Sequence, residues 1–257
     1  MGKEILREDK GYISTLLFNR PEKRNALNAD ALLLMGDLVE KIEEEKKSRV
    51  IILRGSNEKI FSSGVDLSEG EKSFAKTIKA LEYCLDKLIN CPIPIISMIY
   101  GHAIGAGLDI STISDFRIVE KKAKFGAPLV KLGRTYYFTA IERLTRLIGQ
   151  AAANEVLLTG KLMDSQWAYK SGLAHQVVSH EELKEVTYAL ADEIASAAPL
   201  ALKATKITIK KLSEPRPLSP DVEKYLQNIV DEVNKSQDAK EGVRAMLEKR
   251  KPSFIGA

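Results

Sequence analysis

Chemistry is concentrated in two turns of small residues. The first is Phe61-Ser62-Ser63-Gly64-Val65-Asp66-Leu67. The second, Gly101-His102-Ala103-Ile104-Gly105-Ala106-Gly107-Leu108-Asp109, follows the apolar run Ile95-Ile96-Ser97-Met98-Ile99-Tyr100. Glycine and alanine leave the main chain bare, so a substrate atom can come close to backbone N–H groups. A strand that turns through such residues into a helix also leaves the first N–H groups of that helix without an intrahelical acceptor, at the positive end of its dipole. The pattern is that of an anion-stabilising element, and Asp109 places one carboxylate on the first turn of the helix. That carboxylate is either an acid/base group or a charge that merely suits a helix N-terminus.

Several other chemistries do not fit. Gly105-Ala106-Gly107-Leu108-Asp109-Ile110 lacks the third glycine of a dinucleotide-binding turn, and the chain has no G-K-[ST] phosphate loop. Cys84 and Cys91 stand seven apart with no second cluster, which indicates neither a disulfide framework nor a zinc site but two reduced, half-buried thiols. His102, His175 and His180 lie in unrelated segments and read as turn or core residues. Residues 91–108 carry no charge and approach the length of a membrane span. Pro92, Pro94, Gly101, Gly105 and Gly107 interrupt them, and Asp109 ends them, so no membrane partner is expected. Met1-Gly2-Lys3-Glu4-Ile5 has no apolar signal core, and a cytoplasmic protein is expected.

The 257 residues can bury a substantial core, and their 39 basic and 35 acidic side chains are spread along the chain. A net charge of +4 distributed in this way argues for an anionic small substrate, not for nucleic acid. The acid-rich run Glu40 to Glu45 on the first helix would repel phosphate backbones.

The turns need a scaffold, and hydrophobic periodicity outlines it. An alternating strand over 12–18 leads into the basic loop Asn19-Arg20-Pro21-Glu22-Lys23-Arg24-Asn25. Asn28 then caps a helix over 29–47, and Val50-Ile51-Ile52-Leu53-Arg54-Gly55 reads as a strand covered on both faces, completing a βαβ unit. A helix over 73–90 precedes the strand that opens the second turn, and Asp115-Phe116-Arg117-Ile118-Val119 is a further strand. Helices follow over 135–147 and 150–158, with Asp164 capping a short one to Lys170. After residues 174–178, helices over 181–197, 200–212, 222–235 and 239–249 complete the chain, interrupted by a proline-rich loop at 215–220. The one boundary lies near 197–199, and helices beyond it can pack on a neighbouring subunit.

Fragments in this order and spacing resemble the crotonase family, the enoyl-CoA hydratase/isomerase superfamily, from about Tyr12 to Phe254. They are Asn19-Arg20-Pro21 with Asn25-Ala26-Leu27, the turn 61–67, Gly105-Ala106-Gly107-Leu108-Asp109, Ser114-Asp115-Phe116-Arg117-Ile118, Leu157-Leu158-Thr159-Gly160, Ala168-Tyr169-Lys170-Ser171-Gly172-Leu173 and Glu248-Lys249-Arg250-Lys251. The resemblance implies an α/β, crotonase (ClpP-like) fold of repeated ββα units forming a core sheet, with a helical C-terminal trimerisation region. Residues 1–198 would form the core domain and 199–257 the helical region. It also implies an acyl-CoA thioester substrate, no cofactor beyond the coenzyme A of that substrate, and a homotrimer or dimer of trimers.

By position, the oxyanion donors would be the N–H groups of Ser63 and Ala106, with Asp109 as catalytic carboxylate. Lys23, Arg24, Ala26, Ser63, Gly64, Val65, Asp66 and Leu67 would hold coenzyme A and the thioester, together with Gly105, Gly107, Leu129, Tyr136 and Tyr137. Lys59 and Lys249, Arg250 or Lys251 would meet its phosphates. Asp66 reads as a turn-closing residue. A hydratase of the family uses two glutamates; here the first is Asp109 and the second, after Phe125-Gly126-Ala127-Pro128, is Leu129. The implied activity is enoyl-CoA hydratase/isomerase-like. Isomerisation, decarboxylation, thioester hydrolysis and idle acyl-CoA binding remain open alternatives.

Overall fold

The computed structural model describes residues 4–69, 71–213 and 220–253. Most of the expected loop at 215–220, the first three residues and Phe254 lie outside the described residues.

β1 (Ile5–Lys10) and β2 (Ile13–Phe18) form an antiparallel hairpin turning at Gly11, which takes φ +58°. β1 lies outside the strands that periodicity outlines, because Arg7, Glu8, Asp9 and Lys10 hide the strand pattern; such charges suit an exposed edge. α1 (Ala29–Glu45) starts where the Asn28 side chain accepts the Ala31 N–H, and it returns the chain to β3 (Val50–Gly55), parallel to β2. α2 (Glu71–Asn90) leads to β4 (Ile95–Ile99), parallel to β3.

The chain does not pass directly from β4 into a helix. A short strand, β5 (His102–Ile104), intervenes before α3 (Ala106–Ile113). β6 (Phe116–Glu120) lies parallel to β4, followed by β7 (Lys124–Gly126), α4 (Phe138–Thr159), β8 (Met163–Asp164) and α5 (Ser165–Lys170). β9 (Gln176–Val178) closes the main sheet beside β6, and α6 (Leu183–Ser196), α7 (Pro199–Ser213), α8 (Pro220–Lys235) and α9 (Gln237–Leu247) follow. The main sheet runs β1-β2-β3-β4-β6-β9; β5, β7 and β8 form a second, smaller sheet.

Strand alternation divides the core in two. Val50, Ile52, Ile96, Met98 and Ile118 face Leu183, Ala191 and Ala195 of α6. α1, with Leu32, Met35, Val39 and Ile42 buried, packs on β1, β2 and α2. Full burial of each large aliphatic side chain contributes about 1.5–3 kcal/mol. Cys84 and Cys91 are 0% and 2% exposed, buried more completely than their composition implied, and burial raises both thiol pKa values, that of Cys91 to about 11. No helix among the described residues is long and apolar enough to cross a membrane.

The chain divides into two compact units. The first comprises Met1–Phe125 and Asp164–Ser213 and holds the main sheet and both small-residue turns. α7 belongs to it, because the Lys206 ammonium donates to the Ile93 carbonyl at 2.8 Å and to the Asp115 carboxylate at 2.7 Å. The position 198/199 therefore lies inside this unit. The second comprises Gly126–Met163 and Glu214–Ala257. In it, α4 begins at Phe138, three residues after the expected start, because Tyr137 is extended; Gly149, at φ 75° and ψ 159°, breaks the helix between the two expected segments. A 3-10 turn over Pro128–Leu132 packs on α9, where a Cβ added to Gly242 would stand 2.0 Å from the Leu132 carbonyl.

Candidate active site

Two short parallel bridges shape the first turn. Ser62 pairs with Ala103: the Ser62 N–H donates to His102 and the Ile104 N–H to Ser62, both at 3.0 Å. Val65 pairs with Leu27: the Leu27 N–H donates to Gly64 at 2.8 Å and the Asp66 N–H to Leu27 at 2.9 Å. The buried Ser62 hydroxyl donates to the Asn25 carbonyl at 2.8 Å and accepts the Gly64 N–H at 3.2 Å. Asn25 is itself anchored, its side-chain amide donating to Ile60 and accepting from the Arg20 N–H.

This wiring decides which amides stay open. The Ser63 N–H, expected as an oxyanion donor, is given to the Arg24 carbonyl at 3.1 Å. Since Leu27 meets the turn through Gly64 and Asp66, the Val65 N–H faces the other way. It has no hydrogen-bond partner among the described residues. The Ala106 N–H, on the first residue of α3, has none either. The two turns abut: a Cβ added to Gly64 (φ +95°) would lie 3.4 Å from the Ala106 nitrogen, and one added to Gly107 would lie 2.8 Å from the Ser62 Cβ. Both flanks of Gly64 carry an N–H, so spacing alone could not separate Ser63 from Val65; the Leu27 bridge does.

Asp109 is 5% exposed on the first turn of α3, where its N–H donates to the Gly105 carbonyl at 3.0 Å. Asp66 closes its own turn, accepting the Ser68 N–H at 3.0 Å and the Ser68 hydroxyl at 2.6 Å, and its other oxygen lies 3.1 Å from the Arg20 guanidinium. Burial opposes ionisation there, but Ser68 and Arg20 outweigh it and hold the carboxyl below its usual range. Lys23, Arg24 and Lys59 are exposed, Ala26 and Leu67 partly buried, and Arg20 donates to the Ala26 carbonyl at 2.7 Å.

Leu129, Tyr136 and Tyr137 belong to the second unit and are partly buried; Leu129 sits in the 3-10 turn and its carbonyl accepts the Arg134 N–H at 2.9 Å. In the same unit, Arg250 pairs with Glu241 and Glu248 at 2.6 Å, while Lys249 and Lys251 stay exposed.

Two groups outside the expected site residues brace it. Arg117, 2% exposed, donates to the carbonyls of Ser111 and Ser114 at the C-terminal end of α3 and to that of Leu173. Burial pushes its pKa down to about 10, so it remains charged. Glu120 accepts the buried Gly101 N–H at 2.7 Å. Arg117 was visible in sequence as a charge inside a strand, but nothing marked Glu120.

The enoyl-CoA hydratase/isomerase family model matches residues 8–257. A crotonyl-CoA hydratase of Syntrophomonas wolfei subsp. wolfei is 32% identical over 260 residues, covering 98% of each chain. An (E)-benzylidenesuccinyl-CoA hydratase of Thauera aromatica is 33% identical over 259 residues, covering 98% of this chain and 99% of that one. A solved methylmalonyl-CoA decarboxylase, complexed with 2S-carboxypropyl CoA, matches with a TM-score of 0.91 at 29% identity over 100% of both chains. With two glycine-lined turns on a predominantly parallel sheet and a match over nearly its whole length, the chain has the crotonase fold and belongs to the enoyl-CoA hydratase/isomerase family.

Proposed function

We propose that the chain is an acyl-CoA enzyme in which the Val65 and Ala106 N–H groups hold the thioester oxygen as negative charge develops on it. The observation that carries this reading is the pair of amides without partners, meeting across Gly64 and backed by the N-terminus of α3. Donors fixed in advance at a developing oxyanion lower the barrier without reorganising during reaction. Gly64 and Gly107 let the two turns pack this closely, Gly105 leaves the main chain bare just before α3, and Ser63 acts through its bond to Arg24, which holds the turn in place. The exposed Lys23 and Arg24 suit the phosphates of coenzyme A, with Ala26, Asp66 and Leu67 shaping the ground beneath it. Asp109 is the single carboxylate of the reading and moves the proton at Cα or Cβ.

The test exploits the helix start. Proline is tolerated at the first helical position, where its missing N–H loses no helix bond. Gly105, at φ 53° and ψ −124°, holds an extended mirror conformation that suits the residue before a proline. Ala106→Pro should therefore fold, yet lose about 100- to 1,000-fold in kcat. A variant as active as wild type on every acyl-CoA that the wild type turns over would exclude the Ala106 donor.

A second reading rests on Leu129 standing where a hydratase has its second glutamate, and on the likeness to methylmalonyl-CoA decarboxylase. Loss of CO2 from a Cα carboxylate breaks the C–C bond and leaves its electron pair in the enolate, so the oxyanion donors suffice and a proton then returns to Cα. Turnover of a malonyl-type thioester without hydration or isomerisation of an enoyl-CoA would select it.

Assembly as a homotrimer or a dimer of trimers belongs to the same proposal. It is supported by α7, which leaves Leu200 82%, Ile209 60% and Leu212 82% exposed. Sedimentation of a monomer at micromolar concentration would exclude it.

A further inference from the structure

Both open amides hang on one corner of the chain. Gly101, at φ +58°, joins β4 to β5, and an added Cβ would lie 2.0 Å from the Lys59 carbonyl, so the corner has little room to move. Around it the Phe61 N–H donates to Tyr100 at 2.8 Å, the Ser62 N–H to His102 and the Ile104 N–H to Ser62. Residues 61–62 lead to Val65 and residues 102–104 lead to Ala106. Displacement of the corner therefore changes the spacing of the two donors.

Glu120, 6% exposed at the end of β6, pins this corner with one oxygen, accepting the Gly101 N–H at 2.7 Å. Its other oxygen lies 2.6 Å from Nδ1 of His180, whose side chain is 44% exposed. The charged groups that act most strongly on that imidazole are acidic. Glu120 comes from β6, Glu58 from the segment after β3 at 3.8 Å from Nε2, and Glu181 is its neighbour in sequence; just past β4 the Tyr100 ring stands 4.9 Å away. The hydrogen bond and charge of Glu120, then Glu181 and Glu58, raise the pKa of His180 above 6.5.

We propose that Glu120 is a positioning residue for the two oxyanion amides, and that a proton on His180 tightens its hold on the Gly101 corner. An imidazolium makes a stronger, charge-assisted bond to the Glu120 carboxylate than a neutral ring does, and so fixes the orientation in which its other oxygen meets the Gly101 N–H. The proposal rests on the oxyanion reading above, which gives the amide spacing its meaning.

The probe is acetoacetyl-CoA, whose enolate absorbs in the near ultraviolet when an oxyanion site stabilises it. Enolate absorbance at saturation and the affinity for free coenzyme A are measured from about pH 5 to about pH 8. Dividing the wild-type absorbance by that of His180→Gln at each pH cancels the ionisation of the ligand and of Asp109. The ratio should fall about threefold as pH rises through the raised histidine pKa, with coenzyme A affinity equal in both proteins. Glu120→Gln keeps an acceptor for Gly101 but no charge for His180, so its profile should superpose on that of His180→Gln. A flat ratio would overturn the proposal, as would a fall matched by coenzyme A affinity. His180→Gln changes a half-exposed side chain and decides the question even where Glu120→Gln does not fold. Wild-type protein that binds acetoacetyl-CoA without an enolate band would instead overturn the oxyanion reading, and this inference with it.

Discussion

Asp109 carries the proton chemistry of the proposed reaction, and one substitution separates that role from the plainer one of a charge at a helix start. Asp109→Asn keeps shape and size. As the acid/base group, its loss should lower kcat at least about 100-fold with KM little changed. As a dipole partner alone, the change would cost about 0.5 kcal/mol of stability and leave turnover intact; steady-state kinetics on whichever thioester the wild type consumes distinguishes the two. Asp109 and Ala106 were legible in the sequence because a helix start announces itself through small residues followed by periodic apolar ones. The open amide on the first turn was not, since Ser63 and Val65 both adjoin Gly64 and only the bridge from Leu27 turns one of them outward. Glu120 left no local trace either: its partners Gly101 and His180 are brought to it by β4 and by the approach to α6.

α3 is short, and its direction is set at both ends. Its N-terminus is wedged against Ser62 through Gly107, and its C-terminus is held by Arg117. Replacing Arg117 by Met fills much of the volume but leaves the carbonyls of Ser111, Ser114 and Leu173 buried without this donor. A loss of about 3 kcal/mol follows, read as a lower urea midpoint with an unchanged slope. Gly101→Ala meets both a positive φ and the Lys59 carbonyl at 2.0 Å, and should cost at least about 2 kcal/mol by the same measurement. The longer elements could be read from periodicity, and α1, α2 and β3 appear where apolar spacing put them. β1 and β5 could not: one is a charged edge strand, and the other is a brief strand whose partners are distant in sequence.

At the scale of the whole chain, the titrating groups that depend on folding predict a stability window with separable limits. His180 is raised in the folded protein, so its contribution is fully present below 6.5 and is lost as pH rises through the folded value. Asp66 is lowered, so its contribution is present above its ordinary 3.8 and is lost as pH falls through the folded value. Glu241 follows the same sign from 4.5 downward: hydrogen bonds from Arg250, Arg244 and the Ser253 N–H hold it far below the usual carboxylate range. His180 and Asp66 belong to the first unit and Glu241 to the second. Burial lowers His175, so its own contribution is lost only as pH falls below 6.5. Denaturant midpoints measured across the pH range should therefore lose their decline above pH 6.5 in His180→Gln while keeping the acid slope, and Glu241→Gln should weaken the acid slope alone. If His180→Gln kept the wild-type slope above neutrality, the Glu120–His180 pair would contribute nothing to folding. Its role would then have to be sought only in the amide spacing that acetoacetyl-CoA reports.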